Sequence, residues 1–262
     1  MRCYVVDAFA EKQFEGNPAA ICILENWVSD DLMQSITKEN NLSETAFAVK
    51  EGDKYHLRWF TPGGEIDLCG HATLATAFVL ANFYTKSENK FVFKTLSGDL
   101  TVVKKGDLYE LDFPSRVPAK IDITDEMVSA LGVNPVEAYL GRDLMFILED
   151  ESEVLHAKPN FPALKELEEG LGVILTAKSK QFDFASRAFF PKLNVNEDPV
   201  CGSAHCQLTP YWSEQLNKKD MVARQLSERG GTLYCKLDNE RVSLSGYATL
   251  YSIAELQLDG LL

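Results

Sequence analysis

No stretch of this sequence is apolar for the roughly 18 residues that a membrane-crossing helix requires. Its first residues, Met1 to Asp7, alternate like a strand and meet a charge too early for the apolar core of a secretion signal. A cytoplasmic protein with no membrane partner is therefore expected. Positive charge is scarce: 26 Lys and Arg stand against 39 Asp and Glu, a net −13. Such a surface repels a phosphate backbone, so nucleic acid is not an expected partner. A small anion is not excluded, because the amide dipoles of a helix N-terminus act locally. Metal-binding spacing is also missing. The four histidines are scattered and no Cys-x-x-Cys occurs, so neither a zinc site nor a thioredoxin-type centre is expected. The six cysteines read as reduced thiols. No low-complexity segment is present.

What the chain does contain is a repeat. Leu68-Cys69-Gly70-His71-Ala72 returns as Val200-Cys201-Gly202-Ser203-Ala204, and the two cysteines stand 132 residues apart in a chain of 262. Arg58-Trp59-Phe60-Thr61-Pro62 precedes the first copy and Arg187-Ala188-Phe189-Phe190-Pro191 the second, both fitting Arg-x-Phe-x-Pro. Glu65 and Glu197 each stand four residues before their cysteine. Downstream, Gly98-Asp99-Leu100-Thr101-Val102 parallels Gly231-Thr232-Leu233-Tyr234-Cys235. Matches in the same order with loop-sized differences indicate duplication. Each Cys-Gly pair precedes small residues that read as a helix start. Two equivalent helix N-termini facing one another across a site are expected.

The first half reads as strands with two helices. Arg2–Phe9 and Ala19–Leu24 are expected strands, and Ser29-Asp30-Asp31 opens a helix ending at Asn40-Asn41. Thr45–Val49 and Tyr55–Phe60 form a hairpin. His71–Tyr84 is apolar on nearly every side, the mark of a buried helix that strands Phe91–Lys94, Asp99–Val103 and Leu108–Phe113 could wrap. The second half repeats the plan, with helices over Thr124–Leu131, Pro162–Glu169 and Ser203–Asn217, and strands over Leu144–Leu148, Val173–Thr176 and Phe182–Phe190. Thr232–Lys236 and Arg241–Leu244 form a further hairpin, and Tyr247–Leu258 a last strand. Pro210 inside the last helix costs about 3 kcal/mol, so a kink or a short first segment is expected. These elements place an N-terminal domain at 1–113, a linker at 114–116 within a Pro114–Lys120 connection, and a C-terminal domain at 117–254. A final strand at about 255–262 is expected to complete the N-terminal domain.

Gly16-Asn17-Pro18-Ala19-Ala20, Asn41-Leu42-Ser43-Glu44-Thr45-Ala46-Phe47, Leu68–Thr73, Glu197-Asp198-Pro199-Val200-Cys201-Gly202-Ser203-Ala204-His205 and Glu228-Arg229-Gly230-Gly231 run through nearly the whole chain in order. Together they closely resemble the PhzF-like isomerase family of phenazine biosynthesis. The resemblance implies an α+β, diaminopimelate epimerase-like fold: two duplicated β-barrel domains, each around a central helix, with the active site in the cleft. It also implies a homodimer and no cofactor.

By the same resemblance Glu44 is the acid/base that moves a proton between carbons of the substrate. At the start of an apolar strand it is partly desolvated, which favours proton exchange near neutral pH. The corresponding strand of the second half has no carboxylate. His71 and Ser203 hold equivalent places at helix N-termini suited to a carboxylate, and the resemblance adds Asp198 to them as catalytic residues. Asp198 could also fix the protonation state of a histidine or a substrate amine. Gly70 and Gly202 would let backbone approach the ligand. Cys69 and Cys201 are counted among the binding residues. They also fall where related racemases carry two reactive thiols, and helix N-termini lower a cysteine pKa. His205, Trp59, Tyr211 and Trp212 are expected in structural roles, and Arg58 and Arg187 in ion pairs. The expected function is isomerisation of a small carboxylate-bearing metabolite without metal. A two-cysteine amino-acid racemase or epimerase is the alternative, and a non-catalytic metabolite-binding scaffold the third reading.

Overall fold

The computed structural model describes residues 1–258 and 260. The chain forms two compact units, Met1–Asp112 with Ser245–Leu262, and Phe113–Leu244. The return to the first unit comes earlier than expected, at Ser245 rather than about 255. Positions 259, 261 and 262 of the expected last strand lie outside the described residues.

In chain order the elements before the second repeat are β1 (Arg2–Ala8), β2 (Asn17–Leu24), α1 (Asp30–Asn40), β3 (Glu44–Glu51), β4 (Lys54–Thr61), β5 (Gly64–Ile66), α2 (Gly70–Val79), β6 (Lys90–Thr95), β7 (Gly98–Lys105), β8 (Leu108–Pro114) and β9 (Ala119–Ile121). The second repeat runs α3 (Asp125–Leu131), β10 (Glu137–Leu140), β11 (Leu144–Ile147), α4 (Glu151–His156), α5 (Phe161–Glu166), β12 (Val173–Lys178), β13 (Phe184–Phe190), β14 (Val195–Asp198), α6 (Gly202–Leu216), β15 (Asp220–Gln225), β16 (Gly231–Asp238), β17 (Arg241–Gly246) and β18 (Ala248–Glu255). Beyond α2 the helix continues as one π turn, Leu80–Tyr84, with Thr85 N–H on the Leu80 carbonyl.

The pairing repeats strand for strand. In the first unit β1–β2 are antiparallel, β2–β3 parallel, β3–β4 and β4–β5 antiparallel, β4–β6 parallel and β6–β7 antiparallel. In the second, β10–β11, β11–β12, β12–β13, β13–β14, β13–β15 and β15–β16 follow the same series. A parallel pair needs a crossover connection, and helices supply it: α1 between β2 and β3, α4 and α5 between β11 and β12. The edge of each series is completed by the other repeat. β18, which follows the second repeat, pairs with β1, and β9, which follows the first, pairs with β10. The two repeats thus exchange their last strands. The expected linker at 114–116 is bonded into the second unit, with Ser115 N–H on the Glu240 carbonyl and Arg116 N–H on that of Cys206.

Helix α2 is buried from His71 to Ala77 and again at Val79, and β1, β2, β3, β7 and β18 all pack on it. Its apolar composition on every side therefore reflects a surrounding sheet, as expected. Outer helices cover the other sheet faces. Met33 and Ile36 of α1 meet Phe47 and Phe60. Met127, Val154 and Leu164 of α3, α4 and α5 meet Phe146, Leu175 and Phe189. Six elements lie outside the sequence expectations: β5, β9, β10, β14, β15 and α4. The strands are short or interrupted by charge, and α4 is a single polar turn-and-a-half held by the Asp150/Glu153 capping box.

Pro210 lies inside an uninterrupted α6, against the expected short first segment. Proline has no N–H to offer the carbonyl four residues back, that of Cys206. The Arg116 N–H, at 3.0 Å, takes that acceptor instead, so no orphaned carbonyl remains.

Candidate active site

Helices α2 and α6 begin in the same way. The N-cap residues are Cys69 (φ −146°, ψ 110°) and Cys201 (φ −110°, ψ 104°), and no side chain caps either helix. Gly70 and Gly202 are the first helical residues. The residue four past each cysteine bonds its carbonyl: Thr73 Oγ1 donates to Cys69 O, and His205 Nδ1 donates to Cys201 O at 2.7 Å. The sulfur then meets the side chain two residues on. Cys69 Sγ lies 3.5 Å from His71 Nδ1, and Cys201 Sγ 3.2 Å from Ser203 Oγ.

In the first unit this geometry meets a carboxylate. Glu44 opens β3, and its Oε2 lies 3.0 Å from His71 Nε2, with the side chains only 15% and 8% exposed. Both atoms are buried, and neither has an aligned hydrogen-bond partner. They face each other as an ion pair while their bonding directions stay open. Burial alone would lower the His71 pKa. The Cys69 and Glu44 groups outweigh it and hold the imidazole well above its ordinary range. Glu44 is the charge behind this, because the Cys69 thiol is itself pushed up, by burial first and by Glu44 second.

Cys69, His71 and Glu44 offer ligand atoms within 4.8 Å of one another, a spacing that could suggest a metal. The imidazole argues otherwise. Its Nδ1 faces the sulfur and its Nε2 the carboxylate, and these lone pairs diverge across the ring. One ion cannot sit on both. The arrangement is a line, thiol to imidazole to carboxylate, suited to holding and moving a proton.

The second unit has a different cluster. Asp198 ends β14, and the side chain of Gln225, fully buried on β15, ties this strand to α6. Gln225 Nε2 donates to the Asp198 carbonyl at 2.6 Å and its Oε1 accepts the Cys201 N–H at 2.9 Å. Gln225 went unnoticed in the sequence because no motif marks it. The Cys201 thiol is held well above its usual range by burial first and the Asp198 charge second. For both cysteines, burial therefore overrides the lowering expected at a helix N-terminus. His205 is fully buried and its pKa is lowered by that burial to about 4, so it is a neutral structural histidine.

The remaining candidates are internal. Arg58 forks onto Glu65 at 2.7 and 2.6 Å, and Arg187 onto Glu197 at 2.7 and 2.9 Å. Each guanidinium also lies over the phenylalanine of its own motif, at 5.1 Å from Phe60 and 4.9 Å from Phe189. The repeated Arg, Phe and Glu are thus one duplicated structural device. Trp59, Tyr211 and Trp212 are buried in the core. A surface depression of about 610 Å³ in the second unit, lined by Asn160, Phe161, Lys165, Glu166, Asn194 and Asn196 among others, contains none of the candidate residues. Its side chains bring no buried ionisable groups together, so the chemistry is better sought at the two clusters.

Two duplicated α+β units, each built on a helix that begins Cys-Gly, define the diaminopimelate epimerase-like fold. A probable proline racemase of Agrobacterium radiobacter has this fold at a TM-score of 0.63 and 10% identity, over 98% of this chain and 93% of that one. The particular family follows from sequence. Residues 6–253 match the phenazine biosynthesis-like protein family, PhzC-PhzF, and the chain belongs to it. An uncharacterized isomerase of Pseudomonas aeruginosa is 47% identical over 254 residues, 97% of each chain. The crystal structure of a PhzF family phenazine biosynthesis protein of Enterococcus faecalis superposes with a TM-score of 0.97 at 55% identity, over 98% of this chain and 99% of that one. The protein is thus a PhzF-like enzyme of the isomerase class. Among the described residues no helix is long and apolar enough to cross a membrane.

Proposed function

We propose that this isomerase moves a proton between two carbons of a small carboxylate-bearing metabolite, with Glu44 as the acid/base and no cofactor. The observation that carries the reading is the Glu44–His71 pair: 3.0 Å apart, buried, and with hydrogen-bonding directions left open. A base so placed can accept a proton from a carbon next to a carbonyl or carboxylate. The bonding electrons shift to the adjacent carbon, and Glu44, its proton exchanging with solvent in between, delivers a proton to a different carbon. The product is an isomer with the same atoms. The His71 imidazolium stabilises negative charge that develops on the substrate. The uncapped amides at Gly70 bind the substrate's anionic group, and Ser203, Asp198 and the amides at Gly202 form the equivalent polar binding group of the second unit. Gly202 supports this reading, because an added Cβ would meet only Leu244 Cδ1, at 3.8 Å. Packing within the protein does not demand glycine there, and close approach of a ligand is a reason to keep it.

Two raised, buried thiols speak against the racemase alternative, which needs one of them as a thiolate. Solvent deuterium uptake into a panel of small carboxylates is the test. Incorporation that Glu44→Gln abolishes and Cys69→Ser and Cys201→Ser retain is the expected result. Full activity in Glu44→Gln would overturn the assignment.

A further inference from the structure

We propose that Cys69 is a positioning residue, whose thiol holds the His71 ring so that Nε2 faces Glu44, and that Cys201 does the same for the Ser203 hydroxyl. The inference rests on the proposed role of the Glu44–His71 pair and adds to it a function for the two thiols that the proton transfer itself leaves unused.

The first support is geometric. An imidazole held at one nitrogen only can turn about its Cβ–Cγ bond and present carbon where nitrogen is needed. His71 is fixed at both ends, with Nε2 toward Glu44 at 3.0 Å and Nδ1 toward Cys69 Sγ at 3.5 Å. A flipped ring would lose both contacts. Cys69 is 6% exposed, so water does not readily replace the sulfur.

The second support is chemical. A thiol is both a weak donor and a weak acceptor. It can give S–H to Nδ1 of the neutral ring and accept N–H from the imidazolium. The contact therefore survives whichever ring nitrogen gives up the proton. A carbonyl at this place could only accept. A second carboxylate would lock the ring in its charged form. The raised Cys69 pKa is consistent with a thiol serving in both states.

The third support comes from the duplication. Position two past the cysteine changes from His71 to Ser203 between the repeats, yet the sulfur contact to that side chain is kept, at 3.5 and 3.2 Å. A cysteine that merely filled space would have no reason to meet the polar atom of two different side chains.

The test uses the full chain labelled with ¹⁵N-histidine, the His71 signals being assigned by their loss in His71→Gln. The ionisable groups acting on this ring are Cys69 at the start of α2 and Glu44 of β3. Cys69→Ser keeps a donor and acceptor and is expected to preserve the His71 titration. Cys69→Ala is expected to lower its midpoint by about one pH unit and to lower the deuterium-exchange kcat about tenfold with KM unchanged. Cys69→Val, close to the thiol in volume, reads the same loss if the alanine variant does not fold. An unchanged His71 titration in both apolar variants would overturn the proposal. If wild type exchanges no deuterium into any substrate, the proposed function fails, while the histidine titration still decides the role of Cys69.

Discussion

Glu44 of the first unit and Gly172 of the second hold the same place in the repeat. Thr45 pairs with Phe60 and Val173 with Phe189, the matching residues of the two Arg-x-Phe-x-Pro motifs, so the residues just before them correspond. A Cβ at Gly172 would fall 2.3 Å from Phe190 Cδ1. The second unit therefore has no room for any side chain where the first carries its carboxylate. Duplication produced a symmetric scaffold, and packing confines the acid to one half. A directional proton transfer needs that asymmetry.

The Glu44–His71 pair sets a pH dependence. The folded pKa of His71 is raised above its ordinary 6.5. Its protonation therefore contributes stability that is fully present below 6.5 and is lost as pH rises through the higher folded value. The gap in unfolding free energy between wild type and His71→Gln is expected to be larger at about pH 6 than at about pH 9. Guanidinium unfolding at both values measures it, and an equal gap would remove the coupling.

His205 has the opposite sign. Its folded pKa is lowered to about 4, so the unfolded chain takes up the proton first. Stability is full above 6.5 and falls as pH drops toward about 4, by on the order of 3 kcal/mol. His205→Asn keeps a donor for the Cys201 carbonyl without the basic nitrogen. That variant is expected to lose less stability than wild type between pH 7 and about pH 4.5, as read by urea midpoints.

The two arginine devices are unequal. Besides Glu197, Arg187 gives Nη1 to the carbonyls of Val154, Leu155 and Ala157, where α4 ends, and is 12% exposed. Arg58 adds an ion pair to Asp30, itself 70% exposed. Arg187→Met is expected to cost about 3 kcal/mol, and Arg58→Met about 1 kcal/mol. Equal losses in chemical denaturation would contradict the assignment.

Replacing a proline inside a helix by alanine ordinarily gains about 3 kcal/mol. Pro210→Ala is expected to gain less than about 1 kcal/mol, because the restored N–H finds the Cys206 carbonyl already bonded by Arg116. Thermal unfolding of the variant decides it.

Much of this protein was legible in its sequence, because the information was local or repeated. Strand alternation, the Ser29 cap, the all-round apolar α2 and the paired Cys-Gly helix starts are consequences of residue type and period. Glu44, His71, Asp198 and Ser203 could be named as candidates from their motifs alone. Tertiary structure decided what those residues touch. It aligned Cys69, His71 and Glu44 in one line, although β3 and α2 are separated in sequence by β4 and β5. It reversed the expected direction of both thiol pKa values, since burial depends on the surrounding packing rather than on the helix terminus. It recruited Gln225 and Arg116, which carry no motif, and exchanged β9 and β18 between the repeats. Sequence set the repeat and its chemical groups. Long-range packing and hydrogen bonding, which no local pattern encodes, selected which of those groups meet and in which protonation state.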